Sequence, residues 1–256
     1  MIIRKVIPMV IAILLVISSS IKAEVRNDSI TLSKTEKQNI FKAKQLIAPG
    51  ILIAVGASGL FFSSMKDLDK SINNNMEELR SNHKRIKIDN WLRFTPSIAN
   101  FALHFSGVNS PYDTRDRILL TTTSFASVYI LTQGIKHITH RTRPDGSDSH
   151  SFPSGHVATA FLGAEQMRMN YGNLWGTAGY AIATGTVFLR LYNNRHWFSD
   201  VIGGAGIGIL SARIGYWLLP LEKRLFKINS SNTKLIAIPT FNSFDKSYGI
   251  NMAVVF

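Results

Sequence analysis

The sequence predicts an all-α fold, a bundle of about six helices followed by a short C-terminal β-hairpin. Three observations predict it. Apolar segments of helical length recur between residues 46 and 219. Within one of them, Val157, Ala160, Phe161, Ala164 and Met167 fall at helical spacing, with Glu165 and Arg168 elsewhere on the wheel. The end of the chain instead alternates as Tyr248, Ile250, Met252, Val254, Phe256, the period of a strand.

Taken in order, residues 1–23 read as a secretory signal. Arg4 and Lys5 give the charged start, Val6–Ile17 the apolar run and Ser18–Ala23 the small, polar exit, with cleavage expected after Ala23 and an uncleaved anchor as the alternative. Residues 24–45 are polar and lead into a short helix. Residues 46–63 are apolar, with three glycines and a proline, and lie at the short end of what can span a bilayer. Residues 64–90 are amphipathic to polar and read as a surface helix riding on the domain or on a membrane face. Further helices are expected near 92–106, 116–138, 155–170, 174–192 and 197–219. Gly203, Gly204, Gly206 and Gly208 lack the preceding strand and the spacing of a nucleotide loop, so they indicate close helix packing. Lys234–Phe241 and Tyr248–Phe256 supply the hairpin, because two strands cannot close a barrel in lipid. The chain thus divides into a signal (1–23), an N-terminal helical region (24–90), a core (91–227) and a C-terminal hairpin (228–256).

Composition narrows the function classes. A chain of 256 residues is long enough for one domain with a sizeable core. It has no cysteine, which excludes disulfides and thiolate metal sites. The net charge of +13 is carried partly by Arg4, Lys5 and Lys22 in the signal. No basic–aromatic stripe or nucleic-acid motif accompanies it, so anionic lipid headgroups or phosphorylated substrates account for the charge more economically.

The chemistry concentrates between Lys136 and Asp200. The pattern is Lys136-x6-Arg143-Pro144, then Pro153-Ser154-Gly155-His156, then Arg190-x5-His196-x3-Asp200. Arg143 and Arg190 present planar forks of N–H donors to phosphate oxygens, and Lys136 adds a compact charge. Ser154 is placed near a helix N-cap, where free backbone N–H groups face an anion and Gly155 permits its close approach. On a helix His196 and Asp200 would share one face, so the carboxylate can fix one imidazole nitrogen and leave the other to attack phosphorus. His156 is available to protonate a leaving oxygen. No carboxylate cluster suggests a two-metal site, and no cofactor is implied. Any one of these residues alone would more often be a surface or structural residue. Their joint occurrence at fixed spacing is what points to phosphate chemistry.

These three boxes, in this order, resemble the type 2 phosphatidic acid phosphatase (PAP2) superfamily, which includes bacterial class A acid phosphatases and vanadium haloperoxidases. The resemblance covers residues 92–219 or so and implies a PAP2-type helical bundle. It implies His196 as nucleophile oriented by Asp200, His156 as general acid, and Lys136, Arg143, Ser154, Gly155 and Arg190 as phosphate ligands. Leu189 departs from the pattern, standing where the third box usually has Ser, and eight residues form a short link between the first two boxes.

The function implied is a metal-independent phosphatase of the bacterial envelope, acting through a phosphohistidine on a phosphorylated lipid at a membrane surface. Lipid A phosphate is favoured by analogy over undecaprenyl pyrophosphate, phosphatidylglycerol phosphate or phosphatidic acid. The alternatives are a soluble periplasmic acid phosphatase, a vanadium haloperoxidase and a non-catalytic binder of lipid phosphates. If the signal, 46–63, 92–106 and 116–138 all crossed a membrane, the boxes would return to the cytoplasm. An exported catalytic face, at the periplasm or the periplasmic side of the inner membrane, requires that one of them does not cross. Nothing in the sequence bears on oligomeric state.

Overall fold

A computed structural model of the chain describes residues 41–81 and 84–226, together with the backbone of 234–242 and 247–255. The expected signal at 1–23 lies outside the described residues. After a 3₁₀ turn at Ala43–Leu46 come eight helices: α1 (Ile47–Phe61), α2 (Ser63–Arg80), α3 (Asp89–Leu92), α4 (Thr95–Phe105), α5 (Thr114–Thr139), α6 (Gly155–Tyr171), α7 (Asn173–Tyr192) and α8 (Phe198–Leu225). Eight among the described residues, rather than about six, arises because the amphipathic stretch 64–90 contributes α2 and the start of the single-turn α3. Lys234–Asn242 and Ser247–Val255 form two antiparallel strands, β1 and β2, with Lys234 opposite Val255.

Helix α6 is the axle of the bundle. Val157, Phe161 and Ala164 on one side and Ala158 and Leu162 on the other are all buried in core clusters. Glu165, expected off the apolar face, is also fully buried. It is paired with Arg168 at 2.8 Å and with Arg213 of α8 at 2.8 Å. A helix buried on every side has no polar face, so a charge on it must find its partners inside.

Helix α8 packs by close backbone approach. On α1 the buried residues are Pro49, Leu52, Gly56 and Gly59, one stripe at helical spacing. A Cβ on Gly206 would meet the Pro49 carbonyl oxygen at 2.7 Å, and one on Gly204 would meet the Ser154 carbonyl oxygen at 2.6 Å. Small residues here let helices touch backbone to backbone, as in membrane bundles. Gly204→Ala is therefore expected to destabilise the fold by about 1–3 kcal/mol, seen as a lower unfolding midpoint in detergent. Gly134→Ala, on α5 with nothing near its Cβ position, should leave the midpoint unchanged or raise it.

Among the described residues, three helical stretches are long and apolar enough to cross a membrane: Ala43–Phe61, Thr114–Thr139 and Phe198–Leu225. Helix α4 has 11 residues, about 16 Å of rise, less than a helix needs to span a bilayer on its own.

Candidate active site

The three boxes come from different elements and meet at one end of the bundle. Lys136 lies in the last turn of α5, whose C-cap, His140, takes the left-handed conformation (φ 42°) and turns the chain out of the helix. The loop that follows carries Arg143 and folds back through Ser151, whose backbone N–H donates to the Arg141 carbonyl oxygen (2.9 Å). Ser154 is the N-cap of α6, and its backbone N–H donates to the Asp200 carbonyl oxygen (3.0 Å), which ties the second box to the third. Its hydroxyl is buried and makes no hydrogen bond. Gly155 opens α6 with free space where a side chain would stand. A substrate oxygen can reach the helix's first N–H groups there.

His196 does not share a helical face with Asp200 as expected. It sits in the bend before α8, after Asn194, which takes a left-handed conformation (φ 59°) that Asn tolerates better than most residues. Asp200, three residues inside α8's cap, accepts from the Trp197 backbone N–H (2.9 Å) and the Ser151 hydroxyl (2.5 Å), and its other oxygen accepts from Arg141 (2.8 Å). His196 Nδ1 lies 3.7 Å from Asp200 Oδ2, beyond hydrogen-bond range. The carboxylate is locked by its own neighbours and acts on the imidazole as a near charge.

Each cation has a partner that sequence reasoning did not supply. Arg190 Nη1 donates to Asp89 (2.6 Å), while its Nε is buried without a hydrogen bond. Arg143 pairs with Asp148 (2.7 Å) and donates to the Arg195 carbonyl oxygen (3.2 Å). Lys136 Nζ donates to the His150 carbonyl oxygen (2.5 Å). His156 Nε2 is 3.0 Å from Asn90 Oδ1. Asn193 exchanges hydrogen bonds with the backbone of Ile86 (2.9 and 2.7 Å). Ile86, Asp89 and Asn90, from the stretch that the sequence suggested only as a surface helix, thus form a wall of the site. Arg93 belongs to the same wall and acts electrostatically on His156.

A further missed link runs to α2. Asp69 is buried, accepts from the Ser199 backbone N–H (2.8 Å) and hydroxyl (2.7 Å), and pairs with Arg141 (2.6 Å). Arg141 thereby bridges Asp69 and Asp200.

The electrostatics favour neutral imidazoles. His196 is 2% exposed; burial, then the Arg190, Lys136 and Arg143 cations, hold its pKa well below the usual histidine range. Burial, then Arg190, Arg93, His196 and Arg143, likewise pull His156 far down. Two uncharged imidazoles face a ring of cations with backbone N–H groups beside them. Such an arrangement is suited to an anion.

Residues 117–224 match the model of the PAP2 superfamily. A curated lipid A 1-phosphatase of Porphyromonas gingivalis is 34% identical over 158 residues, which make up 59% of this chain and 36% of that protein. The chain thus spans little more than a third of that relative's length. Among solved structures, the first transmembrane PAP2 type phosphatidylglycerolphosphate phosphatase from Bacillus subtilis superposes with a TM-score of 0.51 at 18% identity. The match covers 73% of this chain and 98% of that one. At that identity the likeness is one of fold.

Proposed function

We propose, on the premise that residues 117–224 are a PAP2 superfamily domain, that the chain is a metal-independent phosphatase acting on a phosphorylated lipid. The observation that carries this reading is the pairing of two uncharged imidazoles, His196 and His156, with the Lys136, Arg143 and Arg190 cations and the open N-terminus of α6. In the proposed reaction His196 Nε2 attacks phosphorus in line. His156 takes a proton from the monoanionic ester in the cradle and passes it to the departing oxygen as the P–O bond to the lipid breaks. A phosphohistidine forms. Water then attacks it through His156, which returns the water's proton to the departing inorganic phosphate, leaving both imidazoles neutral. Asp200 balances the charge that grows on His196. The cations and the N–H groups near Ser154 and Gly155 stabilise the equatorial oxygens.

Lipid A phosphate is the favoured substrate, because the relative at 34% identity is a lipid A 1-phosphatase. Undecaprenyl pyrophosphate, phosphatidylglycerol phosphate and phosphatidic acid present the same headgroup chemistry. The reading places residues 91–227 as the catalytic core, 24–90 as an N-terminal helical region whose Ile86, Asp89 and Asn90 wall the site, and 228–256 as the C-terminal hairpin. It takes 1–23 as the export signal and the catalytic face as periplasmic. Three helical stretches fit for a bilayer favour this over a soluble acid phosphatase.

Phosphate release from lipid A, undecaprenyl pyrophosphate, phosphatidic acid and p-nitrophenyl phosphate, with a chelator present throughout, tests the proposal. The expected result is chelator-insensitive release with lipid A turned over fastest. Equal rates on the small ester and on every lipid would favour the soluble acid phosphatase. Release from none of them would overturn the phosphatase reading.

A further inference from the structure

A second cavity, of about 610 Å³, lies beside the catalytic cradle and is lined by none of its histidines or phosphate-facing cations. Its apolar lining includes Phe61, Ile138 and Trp197; its polar lining includes Lys66, Lys70 and Arg141. Phe61 and Ile138 are 75% and 81% exposed. Phe61 ends the apolar stretch Ala43–Phe61, and Ile138 is the penultimate residue of Thr114–Thr139. The cavity therefore opens where two candidate spans end, with Lys66 and Lys70 just beyond, one turn apart on α2.

Its charge is unbalanced. Asp69 is the carboxylate in the lining, and its oxygens are occupied by Ser199 and Arg141. Lys66 and Lys70 make no ion pair among the described residues. Two ammonium groups above large apolar side chains, at the level where a bilayer's polar surface begins, match one kind of occupant. That occupant has a phosphate at headgroup depth and hydrocarbon beneath it.

We propose that this cavity binds the headgroup of an anionic glycerophospholipid of the surrounding membrane, with Lys66 and Lys70 on the phosphate and an acyl chain lying over Phe61 and Ile138. It is distinct from the site of hydrolysis. Arg141 forms their common wall, touching the cavity on one side and Asp200 on the other.

The test uses the full chain in phosphatidylcholine nanodiscs titrated with fluorescent phosphatidylglycerol, a phosphodiester that a monoesterase does not cleave. Lys66→Gln/Lys70→Gln is expected to weaken binding at least fivefold. Lys42→Gln/Lys44→Gln, at the other end of α1, should change it less than twofold. Inorganic phosphate should not displace the lipid. Equal loss in both double variants would reduce the effect to general basic attraction and overturn the proposal, as would no loss in the first. Displacement by free phosphate would also overturn it. Both variants should hydrolyse p-nitrophenyl phosphate like the unsubstituted chain, and loss confined to Lys66→Gln/Lys70→Gln would make the cavity part of the catalytic pocket instead. Because binding is read without turnover, it can fail while the phosphatase reading stands, and the reverse.

Discussion

His196→Ala is expected to lower kcat by about 10⁴-fold or more, on lipid phosphate and p-nitrophenyl phosphate alike, on the order seen when a covalent nucleophile is removed. A nucleophile must present a free lone pair. Burial and the neighbouring Arg190, Lys136 and Arg143 keep His196 unprotonated at neutral pH. A dianionic phosphate would offset those same cations and hold phosphorus against the imidazole. No substitute stands ready: His156 is turned to Asn90, and the Ser154 hydroxyl is buried at the helix cap. The variant should still bind vanadate, since the cations and the α6 N-terminus are untouched. Rapid quenching of the unsubstituted enzyme should trap a phosphorylated protein whose label survives alkali and is lost in acid, as a phosphoramidate behaves. The variant should trap none. Turnover within tenfold of the parent, with vanadate still bound, would remove His196 from the nucleophile's role.

The core of this site was legible because its chemistry is local in sequence. Each box is a short run with fixed spacing, and the helix start that presents the second follows from Ser154 before α6. The partners were not legible, for the same reason inverted. Asp89 meets Arg190, and Asn90 meets His156, across large separations in the chain that no periodicity encodes. Asp69 looked like one more charge on an amphipathic surface helix. It lies on the buried face with Ile72 and Met76, where it is satisfied by Ser199 and Arg141. Arg141 sits two residues from Arg143, yet one turns to Asp69 and Asp200 while the other pairs with Asp148. Spacing alone does not separate two neighbouring arginines. The His196–Asp200 geometry was misread because a spacing of four suggests a helix, whereas the helix begins only after His196. The glycine run was read for packing, and the close approaches at Gly204 and Gly206 are of that kind.

His156→Ala is expected to split substrates by their leaving groups. An alkyl phosphate, or the sugar alkoxide of a lipid phosphate, must gain a proton as the P–O bond breaks, so loss of the general acid should cost about 10²–10⁴-fold. p-Nitrophenolate leaves unprotonated and should lose less than about tenfold by the same reasoning. Free His156 holds no proton near neutral pH, because burial and the Arg190, Arg93, His196 and Arg143 charges drive it off. The proton must then arrive with the substrate. A phosphate monoester takes its second proton near pH 6, roughly. Below that pH it enters as a monoanion, and transfer to His156 inside the cradle yields dianion and imidazolium with charge conserved. Accordingly, kcat/KM on the alkyl ester should fall as pH rises above about 6, approaching tenfold per unit. On p-nitrophenyl phosphate, where no proton is needed, this limb should be shallow in the parent and left unchanged by His156→Ala. Paired pH–rate profiles on the two esters, for parent and variant, decide the matter. Equal losses on both esters at every pH would assign His156 to binding rather than to proton transfer, leaving the departing oxygen to take its proton from water.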